Sequence, residues 1–461
     1  MSRLKGLDSR LCAFAERYRP LFTSSTRTVF GSALNFLRGF IQAARRNMQQ
    51  MSEVQNDAAQ QDLQYLVSQA AWDHQAVQDQ LTRDADHLLG GHADSMLLLD
   101  ESGFGKKGKM SAGVSRQWNG RLGKVDNCQV GVFGALCRGT ASTLIQGRLY
   151  LPKCWTDDPK RCAKAHIPVE HQTFISKSSM TLQIVAQARA CGARFAWVGA
   201  DAGYGKEPDF LRSLADAGER FVVNVHKNQR FYTHHPNPRI PAAVSTRGRA
   251  PTRLTTTRRP MTAEAWAKSQ PKNEWQSIDV RHSTAGLITV RALRKAVWLW
   301  DGEEQEAREW TLLVIHESGP EGKISYALTN AAKDIPMREL VQADRQRFWV
   351  EQAFSDTKSE LGLAEYEARG WTSWHRHMTL CMMAQLFMVE TRIQQADHIP
   401  LLSARDIRTA LAQLLAAPGC PDIRTFETIA NRQAQRWAST RSRYKKHGIQ
   451  PVWTRFANSI M

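Results

Sequence analysis

The sequence lacks the paired cysteines that zinc ribbons and thiol redox motifs require. None of its eight cysteines forms a CxxC pair. Cys154, Cys162 and His166 form the one cluster that suggests zinc, and no fourth ligand stands at a plausible spacing. We therefore expect the cysteines to remain free thiols in a reducing compartment.

Long apolar runs are also missing. No run reaches the roughly 18–20 residues that are needed to cross a bilayer. The first 50 residues do not have the layout of a signal peptide, and no internal repeat is visible. These absences predict a cytoplasmic protein. The length of 461 residues predicts about two to four domains.

Acidic residues are few relative to basic ones. The chain has 62 Lys and Arg against 44 Asp and Glu, a net charge of +18 and a pI near 9.8. The excess is localised: residues 220–295 contain 15 basic and three acidic side chains, and residues 432–455 contain seven basic and no acidic ones. Such runs can be no more than solvated faces, but tryptophans lie among them and favour a nucleic-acid partner.

Two aspartates follow apolar runs that are typical of buried strands. Asp100 ends MLLLD and Asp201 ends RFAWVGAD, and each precedes a glycine-rich segment that is predicted to be a turn. Each is therefore predicted at the C-terminal end of its strand, where open sheets bind ligands. A cap or turn role is the alternative for either one alone. The loop after Asp100 is predicted to contact phosphates through Lys106, Lys107, Lys109 and Arg116.

A third carboxylate, Glu351, lies in RQRFWVEQAFSDTKSELGL, which is predicted to be an amphipathic helix. At about 100° per residue, Arg347 lies about 40° from Glu351 and Lys358 lies within about 20° of it. One helix face is thus predicted to bind a metal at the carboxylate and phosphates at the two cations. Ordinary surface ion pairs are the alternative for an isolated helix.

The order of patterns along the chain predicts a mixed α/β protein. Residues 1–92 are predicted to form a helical region that packs on the rest of the chain or binds DNA ends. Residues 93–225 and 326–395 are the two predicted parts of one α/β core. Residues 226–325 are predicted to be a β-rich insertion, because short alternating runs such as SIDVRH and LITVRAL appear there. Residues 396–461 are predicted to be helical and to end in a flexible basic tail.

Two features near the C-terminus predict helices. The stretch WHRHMTLCMMAQLFMVETRIQQ is apolar enough to be a core helix. Ser403 and Asp406 have the spacing of a capping box at the start of the next helix. Both features predict packing rather than catalysis.

Several stretches together resemble the DDE transposases of bacterial insertion sequences, in the cut-and-paste branch. They are LQYLVSQAAWD, LLLDESGFGKKGKMSAGVSRQWNGRLGKVDNCQVGV, RLYLPKCWTDDP, GADAGYG, and WVEQAFSDTKSELGLAEYEARGW followed by WHRH. The resemblance covers most of the chain. It implies an RNase H-like mixed-sheet core that is interrupted by a β-rich insertion, with helical N-terminal and C-terminal regions. It also implies a bacterial, nucleoid-associated protein.

The resemblance assigns the three acids a catalytic role. Asp100 and Asp201 match the family's catalytic aspartates, and Glu351 matches its glutamate. The implied cofactor is a pair of Mg²⁺ ions held by these acids, for which Mn²⁺ can substitute. The implied chemistry is cleavage at the element's ends and transfer of the 3′-OH ends into target DNA. The implied partners are double-stranded DNA, as terminal inverted repeats and as target, and a second copy in a homodimer assembled on DNA.

The resemblance also assigns DNA contacts. Arg347 and Lys358 match the basic positions of the family's Tyr-x2-Arg-x3-Glu-x6-Lys motif, whose tyrosine position holds Asp344 here. Similarity to the hairpin-forming branch predicts a flipped base, for which Trp298 is the candidate aromatic contact.

Two other functions remain open on the sequence. A metal-dependent endonuclease on the same core would cut DNA without joining it. A non-catalytic DNA-binding relic would bind without cutting, although a pure binder has no use for three carboxylates beside phosphates. A strand-transfer assay separates the first from a transposase, and cleavage in Mg²⁺ or Mn²⁺ separates the second.

Overall fold

The chain divides into two compact units. The computed structural model describes residue 4 and residues 6–120, 122–242, 251–283, 286–317, 322–416 and 423–446. Unit 1 comprises Met1–Phe195, Thr284–Gly286 and Phe348–Met461, and unit 2 comprises Ala196–Ser283 and Leu287–Arg347. The five segments predicted from the sequence do not coincide with these units, and their boundaries stay predictions.

Five helices open unit 1, which confirms a helical N-terminal region. They are α1 (Leu7–Glu16), α2 (Phe30–Gln42), α3 (Met48–Glu53), α4 (Gln60–Ser68) and α5 (His74–Leu89). Helix α2 forms because Phe30, Leu37 and Ile41 recur at helical spacing and bury one face. Asp73 is the N-cap of helix α5, since its side chain accepts a hydrogen bond from the backbone N–H of Gln75.

Four strands form an antiparallel sheet in unit 1. They are β1 (Met96–Gly105), β2 (Ser115–Asn119), β3 (Lys124–Arg138) and β4 (Ala141–Leu149). Strand β3 is central, since β1 and β4 pair with its C-terminal part and β2 pairs with its start. Three helices follow: α6 (Lys153–Thr156), α7 (Pro159–Lys164) and α8 (Lys177–Ala190).

Unit 2 contains one larger sheet and a small two-stranded one. Its strands are β5 (Trp197–Ala200), β6 (Phe221–Val225), β7 (Arg230–Phe231), β8 (Met261–Thr262), β9 (Gln276–Ser283), β10 (Gly286–Leu299), β11 (Arg308–Glu317) and β12 (Ile324–Thr329). The larger sheet has the order β5-β6-β12-β11-β10-β9, in which β5 and β6 are parallel, and β7 pairs with β8. The runs SIDVRH and LITVRAL lie in β9 and β10, which confirms them as strands.

Four helices complete unit 2. They are α9 (Ala202–Gly205), α10 (Pro208–Asp216), α11 (Ala263–Ser269) and α12 (Met337–Gln346). Phe210 and Leu214 bury one face of α10, which links the parallel strands β5 and β6. Together with unit 1, this arrangement confirms the mixed α/β class.

The chain then returns to unit 1 with its last four helices. They are α13 (Phe348–Leu361), α14 (Trp371–Gln394), α15 (Ala404–Ala416) and α16 (Ile423–Lys446). Helix α14 is buried along almost its whole length, as predicted for a core helix. Ser403 and Asp406 form the predicted capping box at α15, since each side chain accepts the other's backbone N–H. No helix in the described ranges has both the length and the apolar character that a bilayer crossing demands.

The C-terminal basic segment is helical as far as residue 446, so a flexible tail was the wrong prediction for this part. Two of its arginines pair with the fully buried Asp406: Arg436 Nη1 lies 2.5 Å from Oδ2, and Arg432 Nη1 lies 3.7 Å from Oδ1. These two ion pairs hold α16 against α15. The predicted contact of this segment with DNA stays a prediction. Residues 447–461 lie outside the described residues.

Candidate active site

Asp100 lies in the middle of β1 rather than at its end. The strand continues for five residues, and residues 102–105 pair with β3 in a regular ladder. The prediction of a glycine-rich turn directly after Asp100 is therefore wrong. A Cβ on Gly103 would lie 2.5 Å from Oδ1 of Asn119, so glycine here allows another segment to approach the strand closely.

The carboxylate of Asp100 is half-exposed and faces the same side of the sheet as Phe133. Its Oδ1 accepts a hydrogen bond of 2.7 Å from the backbone N–H of Glu101. Asp100 pairs directly with Phe133 on β3. Paired residues of antiparallel strands project to the same side of a sheet.

Helix α13 lies on that side. The ring centroid of Phe133 is 5.3 Å from that of Phe354, with the rings edge to face at 77°. Glu351 precedes Phe354 by one turn on α13 and is exposed. One aromatic contact therefore brings the helix of Glu351 to the side of the sheet that Asp100 faces.

Lys358 lies on the same helix and is half-buried. Its Nζ is 5.6 Å from the ring centroid of Phe104 on β1 and 5.7 Å from that of Phe354. Aromatic faces attract an ammonium group at such distances. Glu351 and Lys358 thus lie on one helix, as predicted, with Phe354 between them.

Arg347 does not belong to that helix. It separates α12 from α13, and its backbone N–H donates to the carbonyl of Asp344 at 3.3 Å, three residues back instead of four. The prediction that one continuous helix carries Arg347, Glu351 and Lys358 is therefore wrong for Arg347. The tighter turn changes the rotation per residue at this point. The rotation of about 100° per residue that places Arg347 relative to Glu351 in a continuous α-helix therefore does not hold across it.

Asp344, at the motif's tyrosine position, is a buried carboxylate of unit 2. Its Oδ1 accepts a hydrogen bond of 2.7 Å from Nδ2 of Asn224 on β6, and Nε of Arg345 lies 3.5 Å from its Oδ2. The side chain therefore ties α12 to the sheet. Spacing in the sequence carried no signal for this role, because the partner lies on a distant strand.

Asp201 lies directly after β5 in unit 2, as predicted. It caps α9, since its Oδ1 accepts the backbone N–H of Gly203 at 2.9 Å. The segment predicted as a turn is this single-turn helix. A Cβ on Gly205 would clash with the carbonyl oxygen of Asn224, so glycine lets α9 pack directly on β6.

The three acids suit a hard divalent cation, because every donor is a carboxylate oxygen. Asp100 and Glu351 are accessible from solvent in unit 1, and Asp201 belongs to unit 2. Among the residues that the structure describes, no three His, Cys, Asp or Glu side chains form a group that could hold a metal. The shared metal site therefore stays a prediction.

Lys106 has an internal partner, unlike its predicted companions. Its Nζ donates to the carbonyl of Tyr366 at 3.2 Å and lies 3.5 Å from the Tyr366 ring centroid. Burial lowers the pKa of this amine to about 8. Lys107, Lys109 and Arg116 are exposed. The contacts of all four with phosphate stay predictions.

Trp298 lies on β10 in unit 2. Its backbone exchanges two hydrogen bonds of 2.8 Å with Tyr232, and its ring centroid lies 4.5 Å from that of His235. A cavity of about 340 Å³ in the same unit has Tyr232, Trp300 and Trp310 in its lining. Base stacking by Trp298 stays a prediction. Trp300, two residues further along the chain, lines the cavity, and no sequence motif pointed to it.

Arg46 holds the C-terminal end of the Glu351 helix. Its Nη1 lies 3.0 Å from Oε1 of Glu365, and its Nη2 donates to the carbonyls of Ser359 and Glu360 at 3.2 Å each. Carbonyls at a helix end otherwise lack partners. Local patterns carry no signal for this contact because more than 300 positions separate the partners.

Comparison with known proteins identifies the family. A family model described as DDE superfamily endonuclease matches residues 17–287, which include Asp100 and Asp201 but not Glu351. The probable transposase for insertion sequence element IS701 of Microchaete diplosiphon is 22% identical over 325 residues, which cover 70% of this chain and 72% of that protein. These similarities confirm the resemblance to insertion-sequence transposases and the RNase H-like fold class. The chain belongs to the DDE superfamily of endonucleases.

Proposed function

We propose that this protein is a transposase that cleaves double-stranded DNA at the ends of an insertion sequence and joins the freed ends to target DNA. The contact of Phe133 with Phe354 carries the proposal, because it supports a site that includes both Asp100 and Glu351. Family membership supports the nuclease chemistry, and the relative described as a transposase supports the joining step.

Asp100, Asp201 and Glu351 are the proposed ligands of two Mg²⁺ ions, for which Mn²⁺ can substitute. Such ions, when bound, stabilise negative charge on the entering and leaving oxygens of an in-line displacement. The chain supplies the positions of the carboxylates. Asp100 is fixed within the β1–β3 ladder, and Glu351 is fixed by the packing of Phe354.

Lys358 and Arg347 are the proposed contacts to the phosphates beside the cleaved bond. The Lys358 ammonium is held near the Phe104 and Phe354 rings, so less side-chain freedom is lost when a phosphate binds. The proposed contacts further along the DNA are Lys106, Lys107, Lys109, Arg116 and Trp298.

The proposed reaction consists of two phosphoryl transfers without a covalent enzyme intermediate. Water attacks the phosphorus at the element's end, the bond from phosphorus to O3′ breaks, and a 3′-OH and a 5′-phosphate remain. That 3′-OH then attacks a target phosphorus, forms a new phosphodiester and releases a target 3′-OH. In a hairpin route the opposite strand is attacked first.

Joining two ends requires two active sites, so we propose a homodimer that assembles on DNA. The net charge of +18 supports binding to a polyanion. The bacterial nucleoid, in the cytoplasm, is the proposed site of action.

The test is a cleavage and joining assay in Mg²⁺, with a labelled duplex that carries the terminal repeat and a plasmid as target. The wild type should yield both cut ends and joined products. Glu351→Gln should yield neither while it still binds the duplex, because the amide keeps the shape but not the charge. Asp334→Asn, at an exposed acid of unit 2, is the control that should behave as the wild type. Cutting without joining would identify an endonuclease, and binding without cutting a relic; either result would overturn the proposal.

A further inference from the structure

The hairpin of β2 and β3 exposes large apolar side chains. Eleven large hydrophobic residues are exposed in the described part of the chain, and four of them fall within residues 110–125. These four are Met110, Trp118, Leu122 and Val125. Trp118 has 54% of its surface exposed. A cluster of this kind is typical of a binding surface rather than of chance exposure.

Two of the apolar side chains, Trp118 and Val125, share one face of the hairpin. Trp118 pairs with Val125, and Arg116 pairs with Asn127 two residues away, so these four side chains project to the same side. This outer face carries no acidic side chain. Asp126, the one acid in residues 106–127, pairs with Gln117 and therefore projects to the opposite side.

The inner face of the hairpin packs on β1 through Asn119. Within the hairpin, Nε2 of Gln117 on β2 donates to the carbonyl of Cys128 on β3 at 2.8 Å. Asn119 is only 2% exposed, and its side chain lies against Gly103, which has no Cβ that would collide with it. The outer face is therefore presented by a strand pair that is anchored on its other side.

The contact between Asn119 and Gly103 lies close to Asp100 along β1. Gly103 follows Asp100 by three residues on β1, a distance of about 10 Å along a strand. DNA that is cut at Asp100 would therefore pass near the hairpin.

The charge around the apolar cluster indicates the partner. Residues 106–127 contain six basic residues and a single acid. Lys107, Lys109, Arg116 and Lys124 are exposed. Arg116 shares the outer face, whereas Lys124 pairs with Asn119 and projects to the opposite side. An apolar wedge flanked by cations is the arrangement with which proteins enter a base step and hold the phosphates on either side.

We propose that this outer face is a DNA wedge. Trp118, with Val125, packs against an unstacked base step, while Arg116 on the same face binds a flanking phosphate. The proposal rests on the proposed function, since it requires that duplex DNA lie at the active site. It adds that the protein distorts the duplex there before or during cleavage.

The test compares two duplexes of the same sequence in the absence of a divalent metal, one fully paired and one with a two-base mismatch. A wedge binds pre-unstacked DNA more tightly, so the wild type should prefer the mismatched duplex by about tenfold. Trp118→Ala should lose the preference with an unchanged salt dependence. Arg116→Gln should keep the preference and lower the slope of log K against log salt by about 0.9.

Two controls keep the result interpretable. Trp118→Phe should restore the preference, and Phe174→Ala, at an exposed aromatic residue elsewhere in unit 1, should not change it. Trp118→Ala with the wild-type preference would overturn the wedge, as would a loss of self-association with unchanged DNA binding. If either of these results is obtained while the wild type still cuts and joins DNA, the wedge fails and the proposed function stands. If the wild type binds neither duplex, the proposed function fails with it.

Discussion

Phe133 and Phe354 meet edge to face with their centroids 5.3 Å apart, and they join the strand pair of Asp100 to the helix of Glu351. Both side chains are buried. Gly131 and Gly147 make room for the Phe133 ring, because a Cβ on either would lie within 2.9 Å of it. The position of Glu351 therefore depends on the packing of Phe354 against Phe133, the residue that pairs with Asp100.

Phe354→Leu should lower the rate of cleavage more than it lowers DNA affinity. Leucine keeps the position apolar but cannot reproduce the ring contact, so the helix of Glu351 shifts relative to β1. We expect a loss of about 1–2 kcal/mol in the free energy of unfolding and a fall of at least tenfold in cleavage. Phe174→Leu is the matched control. Equal cleavage rates for the two folded variants would show that the contact does not position Glu351.

Arg46→Ala should destabilise the protein by about 1–3 kcal/mol, since it removes the ion pair with the partly exposed Glu365 and leaves two helix-end carbonyls unsatisfied. Arg45→Ala is the control, because Arg45 is adjacent and exposed and should change stability by less than about 0.5 kcal/mol. Urea denaturation measures both. Similar midpoints for the two variants would remove Arg46 as the anchor of α13.

Lys106 should make the free energy of unfolding depend on pH in the alkaline range. Its pKa is about 8 in the folded chain, below the ordinary 10.5, so between these pH values the unfolded chain holds a proton that the folded chain has lost. The free energy of unfolding therefore rises with pH across this window, by at most about 3 kcal/mol.

Substitution isolates this contribution. The difference in unfolding free energy between the wild type and Lys106→Met should change between pH 8 and pH 10. The same difference for Lys107→Met should stay constant, because Lys107 is exposed. A pH-independent difference for Lys106→Met would mean that its amine is not desolvated.

The two kinds of basic residue on α16 should respond differently to substitution. Arg441, Lys445 and Lys446 are exposed, and changing all three to Gln should lower the salt slope of DNA binding by about 0.9 for each phosphate that the variant no longer neutralises. Arg436→Gln should instead lower stability, because Arg436 pairs with the buried Asp406. An unchanged slope for the triple variant would leave these charges as a solvated face. Truncation after residue 429 would remove most of α16 and would confuse the two effects.

Apolar runs predicted where the strands and core helices lie, because the periodic spacing of buried side chains is set by the local sequence. Asp201 follows its strand as predicted, and α14 is the predicted core helix. Glycine was the misleading signal at Asp100. Gly103 belongs to the strand because it pairs with β3, and it is glycine because Asn119 approaches it closely. A close approach from another segment leaves no mark on the local pattern.

Two hydrogen bonds account for the other differences. Asp344 stands where the motif has tyrosine, yet its partner is Asn224 on the distant strand β6. Arg347 breaks a helix that the wheel treats as continuous, because its backbone N–H donates to a carbonyl three residues back instead of four. Spacing along the chain predicts neither bond.

Metal-directed cleavage of the protein measures whether Asp100, Asp201 and Glu351 bind the same metal ions, as we propose. Fe²⁺ replaces Mg²⁺ in the protein–DNA complex, and ascorbate with peroxide generates radicals that cut the backbone near the bound ion. We predict cuts near residues 100, 201 and 351 that compete with Mg²⁺ and disappear together in Asp100→Asn. Cuts confined to one of these segments, or cuts that persist at residues 201 and 351 in that variant, would contradict a shared site.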